Sequence, residues 1–204
     1  MISPATALFC GDGWRNDQGE GIRLSAEQWI QAHTLGEVIP ALAEVEDRTS
    51  RGFVAFGFIA YEAADAFGLP VLSSHSQKIP LVWFGFCSPN QIEHLSLRDL
   101  INENPSIMPT VETSLPIPAD AFSEIIRQIK QFIARGDTYQ VNFTLRACLQ
   151  SSHSGLPLFS HLYRSQPVPF AAFLRTDSWE IHSLSPELFL HKEGDWISSR
   201  PMKG

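Results

Sequence analysis

The chain has 204 residues, and 44% of them are hydrophobic, enough to build a core as one large domain or two small ones. A net charge of −7 and a pI near 5.4 argue against nucleic acid or an anionic membrane surface as partner, though not against an anionic small molecule held by local donors. Cys10, Cys87 and Cys148 are odd in number and widely spaced, which argues against a disulfide framework or a zinc site.

The N-terminus, Met1-Ile-Ser-Pro-Ala-Thr-Ala7, lacks the basic region and long apolar run of a signal peptide, and no stretch approaches a membrane span. A soluble, cytoplasmic protein is expected. Residues 1–23 hold a short apolar piece, Ala7-Leu8-Phe9, and a polar Gly-rich loop ending near Gly21. Ser25-Ala-Glu-Gln28 has the capping-box spacing, so a helix carrying Trp29, Ala32 and Leu35 on one stripe is predicted. Glu37 to Val45 continues as a second helix or turn, with Val38, Leu42 and Val45 in register around Pro40. Gly52 to Tyr61 is apolar on both faces and reads as a central strand, and Pro80 to Phe86 as a second buried strand. Glu62-Ala-Ala-Asp65 lies between them.

Residues 88–119 read as a linker, rich in Pro, Asn and Ser. Asp120 then caps a predicted helix in which Phe122, Ile125, Ile126, Ile129 and Ile133 follow 3.6-residue spacing, and Gly136 ends it. A strand is predicted over Thr138–Arg146, where from Tyr139 the residues alternate: Tyr139, Val141, Phe143 and Leu145 on one side, Gln140, Asn142, Thr144 and Arg146 on the other. That polar row is either the wall of a polar pocket or a solvated sheet face. A short helix at Leu156–Arg164 and strands at Phe170–Arg175 and Trp179–Ser183 follow. The order indicates an α+β architecture with mainly antiparallel sheet. The seven histidines are scattered without ligand spacing.

The last twenty residues, Ser185 to Gly204, read as a β-hairpin turning at Glu193-Gly194-Asp195. The antiparallel strands return Glu187 and Lys203 to the same end. They form either a surface ion pair or an acid/base and a nucleophile sharing a substrate. The chain stops at Gly204, directly after the lysine, without a cap or polar tail, which reads as a cut.

Four segments, Gly136-Asp-Thr-Tyr-Gln-Val-Asn-Phe-Thr-Leu-Arg146, Pro167-Val-Pro-Phe170, Ser185-Pro-Glu187 and Arg200-Pro-Met-Lys-Gly204, resemble successive motifs of the chorismate-utilising enzymes. That family includes component I of anthranilate synthase and of aminodeoxychorismate synthase, and the isochorismate and salicylate synthases. The segment Gly57 to Ala64 also resembles the N-terminal region of the aminodeoxychorismate-forming branch, so the resemblance covers most of the chain, more loosely before residue 120. It implies two antiparallel sheets packed orthogonally between helical layers (α/β/β/α), incomplete here. It divides the chain into an N-terminal region, 1–115, and the first part of a chorismate-binding catalytic domain, 116–204.

The resemblance implies catalytic roles for Lys203 and Glu187, and places Gln140 and Gly204 on the substrate side. Water-using members carry a lysine base where this chain has Gln140, and anthranilate synthases carry alanine where it has Lys203. Gln140 with Lys203 is the aminodeoxychorismate-forming combination. In that branch the lysine attacks C2 of chorismate and expels the C4 hydroxyl, with Glu187 as proton donor. Ammonia from a glutamine amidotransferase partner then adds at C4 and expels the lysine. Met202 replaces the more usual isoleucine, a volume-conserving change. The family's Mg²⁺ glutamates are expected downstream of residue 204, so no metal ligand is assigned in this chain and the fragment by itself is expected to be inactive. Its exposed apolar strands would need a substitute partner, a second copy of the chain being one choice. The alternatives are anthranilate synthase component I and a non-catalytic assembly module that holds an amidotransferase. Pro167–Phe170 matches a segment lining a tryptophan site in related enzymes, but no partner motif is seen near Ala7–Gly13.

Overall fold

A computed structural model describes residues 5–14, 19–71, 78–96, 111–113 and 117–202. The chain divides into two compact units, Met1–Ile107 with Gly155–Gly204, and Met108–Ser154.

The larger unit is built on a five-stranded sheet and a three-stranded one. Ala5–Cys10 (β1) is the central strand of the first, whose order is β10-β9-β1-β2-β6. Its neighbours are Gly21–Ala26 (β2) on one side and Phe170–Arg175 (β9) on the other. Glu180–Ser185 (β10) pairs with β9, and Glu93–Leu95 (β6) with β2. The second sheet has the order β3-β5-β4, from Gln28–Ala32, Val82–Cys87 and Val54–Ile59. Every pairing among the described strands is antiparallel.

Side chains alternate across a strand, so β1 sends Ala7 and Phe9 one way and Leu8 and Cys10 the other. All four are buried. Ala7 and Phe9 join Leu24, Ala26, Phe56, Trp83 and Leu174 in a core drawn from both sheets. The approach is close at Gly85, where an added Cβ would come within 2.8 Å of the Ala26 side chain. Leu8 and Cys10 face Phe159 and Tyr163 of the helix Gly155–Ser165. On the three-stranded sheet, Ala32 and Val82 pack with Val38 and Ala41 of the helix Leu35–Ser50 (α1).

Three expectations are corrected here. The Ser25–Gln28 spacing opens no helix: Ser25 lies in β2 and Gln28 begins β3, where Trp29 and Ile30 pair with Gly85 and Phe84. Sheet pairing overrides the local cap signal. The helix starts at Leu35 and runs through Pro40. The Glu37 carboxylate accepts the backbone N–H groups of Thr34 and His33, both at 2.9 Å, and these bonds hold its carboxyl below the usual range. The run from Gly52 to Tyr61 is not a central strand. β4 is an edge and the second apolar run, β5, is the centre; an all-apolar run reports burial on two faces but not the number of neighbours. Glu62 to Asp65 fall in a 3₁₀ helix, Tyr61–Phe67. The 88–119 stretch is not wholly a linker, since β6 pairs with β2 and Glu93 bridges Arg23 at 3.1 Å. Its residues 97–110 and 114–116 lie outside the described residues.

The smaller unit contains the helix Ala119–Arg135 (α2) and two three-residue strands, Val111–Thr113 (β7) and Leu149–Ser151 (β8), which pair. The helix ends on Gly136 in the left-handed conformation (φ 79°), as its sequence demands. Asp120 lies in the first turn and Pro118 is the cap residue. No α2 residue is buried, and Phe122, Phe132 and Ile133 are more than 40% exposed. Among the described residues of this unit, α2 meets Phe143 (ring centroids 5.8 Å from Phe122), and no sheet face is seen packed on it. The predicted strand Thr138–Arg146 is neither strand nor helix. A strand exists only through a neighbouring ladder, and among the described residues of this unit the strands β7 and β8 have three residues each and pair with one another.

Leu188–Glu193 (β11) and Trp196–Arg200 (β12) form the final hairpin of the larger unit, turning at Gly194. It is a two-stranded sheet of its own. No described helix is long and apolar enough to cross a membrane.

Candidate active site

Ser185, Pro186 and Glu187 join β10 to β11 and set the direction of the Glu187 side chain. The Ser185 hydroxyl donates to the Glu187 carbonyl at 3.0 Å and accepts the Glu187 N–H at 3.2 Å, a local turn typical of Ser before Pro. Glu187 is half-buried at the start of the hairpin. Across the hairpin Leu188 pairs with Arg200, and the register shifts between Leu188 and His191. The pairing returns the chain so that the Met202 N–H donates to Glu187 Oε1 at 2.9 Å. Glu187 thus holds the chain at the residue that precedes Lys203 in sequence. Glu187, Ser185, Leu188, Phe189, Ser199 and Pro201 line a surface groove of about 380 Å³.

A carboxyl group with one oxygen fixed by a backbone amide keeps its orientation while the other stays available for proton transfer. Oε2 of Glu187 takes no hydrogen bond from the described residues. A carboxyl group so held could exchange a proton with a group that comes within hydrogen-bond reach.

The other sequence-derived site residues are placed less completely. Gln140 is exposed in the irregular segment of the smaller unit, and its backbone carbonyl accepts the Thr138 hydroxyl at 3.0 Å. Lys203 and Gly204 lie outside the described residues. Ser185 was legible as part of a motif but not as the group that orients Glu187; the Ser-Pro step was the signal that could have disclosed it. Among the described residues no group of three or more His, Cys, Asp or Glu side chains could hold a metal ion.

Compared with known proteins, residues 12–204 match the family described as chorismate binding enzyme. The chain belongs to this family. Among curated chorismate-family relatives it is 36% identical over 89 residues to aminodeoxychorismate synthase component 1 of Bacillus subtilis (44% of this chain, 19% of the relative). It is 41% identical over 85 residues to the protein of the same name from Salmonella typhimurium (41% and 18%). It is also 29% identical over 140 residues to an anthranilate synthase component I-like protein of Synechocystis (66% and 28%). The matched region thus spans less than a third of the length of each of these relatives.

Proposed function

We propose that this chain is part of an aminodeoxychorismate synthase component I, which converts chorismate and ammonia to 4-amino-4-deoxychorismate. The structural observation that carries the reading is the bond from the Met202 amide to Glu187, which ties the carboxylate to the residue preceding Lys203. The combination of Gln140 with Lys203, and relatives named aminodeoxychorismate synthase, support it over the anthranilate synthase reading.

In this proposal the neutral amine of Lys203 attacks C2 of chorismate. Both ring double bonds shift, from C1=C2 and C5=C6 to C1=C6 and C4=C5, the C4–O bond breaks, and Glu187 gives its proton to the departing hydroxyl, which leaves as water. Ammonia, supplied by a glutamine amidotransferase partner, then forms the C4–N bond as both double bonds shift back, the C2–N bond to the lysine breaks, and the lysine leaves as a neutral amine. Gln140 and Gly204 are assigned to the substrate side, and residues 116–204 to the catalytic domain, whose sheets are proposed to pack orthogonally. The Mg²⁺ ligands are assigned to sequence beyond residue 204.

The test is trapping. The intact enzyme is incubated with chorismate without ammonia, and its peptides are examined by mass spectrometry. A chorismate-derived adduct on Lys203 is expected, with amination slowed by orders of magnitude in Lys203→Ala. No adduct together with near-normal rates for Lys203→Ala would overturn the reading.

A further inference from the structure

Three of the five tryptophans in the chain, Trp29, Trp83 and Trp179, line one partly enclosed cavity of about 210 Å³ in the larger unit. They come from β3, β5 and the residue just before β10, so the cavity lies where the edge of the three-stranded sheet meets the β9–β10 turn. The rings of Trp83 and Trp179 meet edge to face, at 88° with centroids 5.5 Å apart. Phe58 braces Trp179 from a further edge at 5.5 Å and 85°. Trp83 is 2% exposed and fixed in the inter-sheet core. The turn is equally constrained: the Thr176 hydroxyl accepts the N–H groups of Ser178 and Trp179, and Thr176 N–H donates to the Trp179 carbonyl at 3.0 Å.

The polar part of the lining comprises Gln31, Thr176, Asp177 and Ser178. It contains one carboxylate and no Lys, Arg or His. Asp177 sits exposed at the turn, and its side chain takes no hydrogen bond or ion pair from the described residues. Indole rings attract a positive charge through the ring quadrupole, and a carboxylate at the rim adds to that attraction while repelling anions. A trimethylammonium head, with no N–H to satisfy and a low cost of leaving water, suits walls that offer π-faces and few acceptors.

We propose that this cavity is a binding site for a small organic cation of the quaternary ammonium class. The inference does not rest on the roles assigned to Glu187 or Lys203.

The experiment titrates the chain with choline and, separately, with 3,3-dimethyl-1-butanol, which has the same shape without the charge. Indole N–H resonances are followed by ¹⁵N-labelled NMR. Choline is expected to shift Trp29, Trp83 and Trp179 saturably and to leave Trp14 and Trp196 unmoved. The neutral analogue should bind about tenfold more weakly. Asp177→Asn, at an exposed turn position where the fold is insensitive, should weaken choline about threefold or more and leave the analogue unchanged. Trp29→Leu should remove the preference for charge. No saturable shift with choline, or equal affinity for choline and its neutral analogue, overturns the proposal and leaves the cavity as a packing gap between aromatic side chains.

Discussion

Phe159 and Phe189 show how differently two parts of the larger unit use the same side chain. Phe159 is completely buried, its ring 5.7 Å from Phe173 and 6.4 Å from Tyr163. Phe189, in the β11–β12 hairpin, is 83% exposed, and Trp196 and Ile197 opposite are exposed as well. Both belong to apolar patterns of the expected period. The difference is neighbours: β1 and β9 each have a strand on both sides and a helix over one face, whereas β11 pairs only with β12. A two-stranded hairpin is marginal by itself in water. Stability is therefore concentrated in the two larger sheets, while Glu187, proposed for chemistry, lies at the start of the less stabilised hairpin, as functional residues commonly do. Activity and stability should then respond to different substitutions.

The largest separation is expected at Glu187. In the intact enzyme, Glu187→Gln keeps an oxygen to accept the Met202 N–H and removes only the transferable proton. Turnover should fall by about 10²–10⁴-fold, with the thermal midpoint of the purified variant unchanged. Near-normal turnover would sink the assignment of Glu187 as proton donor. An equal loss of stability would sink the separation itself.

Phe159→Ala should do the reverse. Truncating a fully buried aromatic ring in a packed cluster costs about 3–5 kcal/mol, read as a shift of the urea midpoint at constant slope. A cost below about 1 kcal/mol would mean that the helix Gly155–Ser165 is not seated on β1 and β9 as described.

Cys10, on the same buried face, gives a pH-dependent version of that test. Burial pushes its thiol up from 9.0 to about 12. The folded chain therefore keeps its proton where the unfolded chain has lost it. This contribution is intact below pH 9.0, falls as pH rises, and is fully lost by about pH 12. At about pH 10.5 it should amount to a loss of roughly 2 kcal/mol relative to pH 8, absent in Cys10→Ala. Alkylation at neutral pH should accordingly mark exposed Cys148 first and spare buried Cys10 and Cys87. Identical alkaline unfolding of the parent and Cys10→Ala would show that the thiol is not desolvated.

These contrasts also explain what could be read from the residues. The hairpins at Phe170–Ser185 and Leu188–Arg200 were legible because a turn and two short apolar runs specify each other locally. The C-terminal stop of α2 was legible because Gly136 adopts a conformation that other residues avoid. The strand at Gln28–Ala32 was not, since it depends on pairing with Val82–Phe86 more than fifty residues away, against a misleading cap pattern. Thr138–Arg146 failed in the opposite sense: its alternation is genuine, but alternation shows which face a strand would present and not whether a neighbour is there to pair. At the candidate site, the place of Glu187 at the hairpin end was legible, while its chemical role rests on the family resemblance. The orienting turn at Ser185 and the bond from Met202 are geometric facts that residue types alone do not fix.

The smallest effect, and the one that most sharpens the contrast, is expected at Phe189. Phe189→Ala makes the same chemical change as Phe159→Ala, but at 83% exposure there is little buried area to lose and no cavity to leave. The hairpin register is carried by backbone pairing from Leu188 to Glu193 and by the turn at Gly194 (φ 56°), neither of which the substitution touches. The expected cost is within about 0.5 kcal/mol, measured by urea unfolding alongside Phe159→Ala in one buffer. The quantity that matters is the difference between the two variants, because the change in the unfolded chain is nearly the same for both and cancels. A cost at Phe189 approaching that at Phe159 would mean that something covers β11 in solution. The hairpin would then be a buried element, and its freedom from the stability of the larger sheets would be lost.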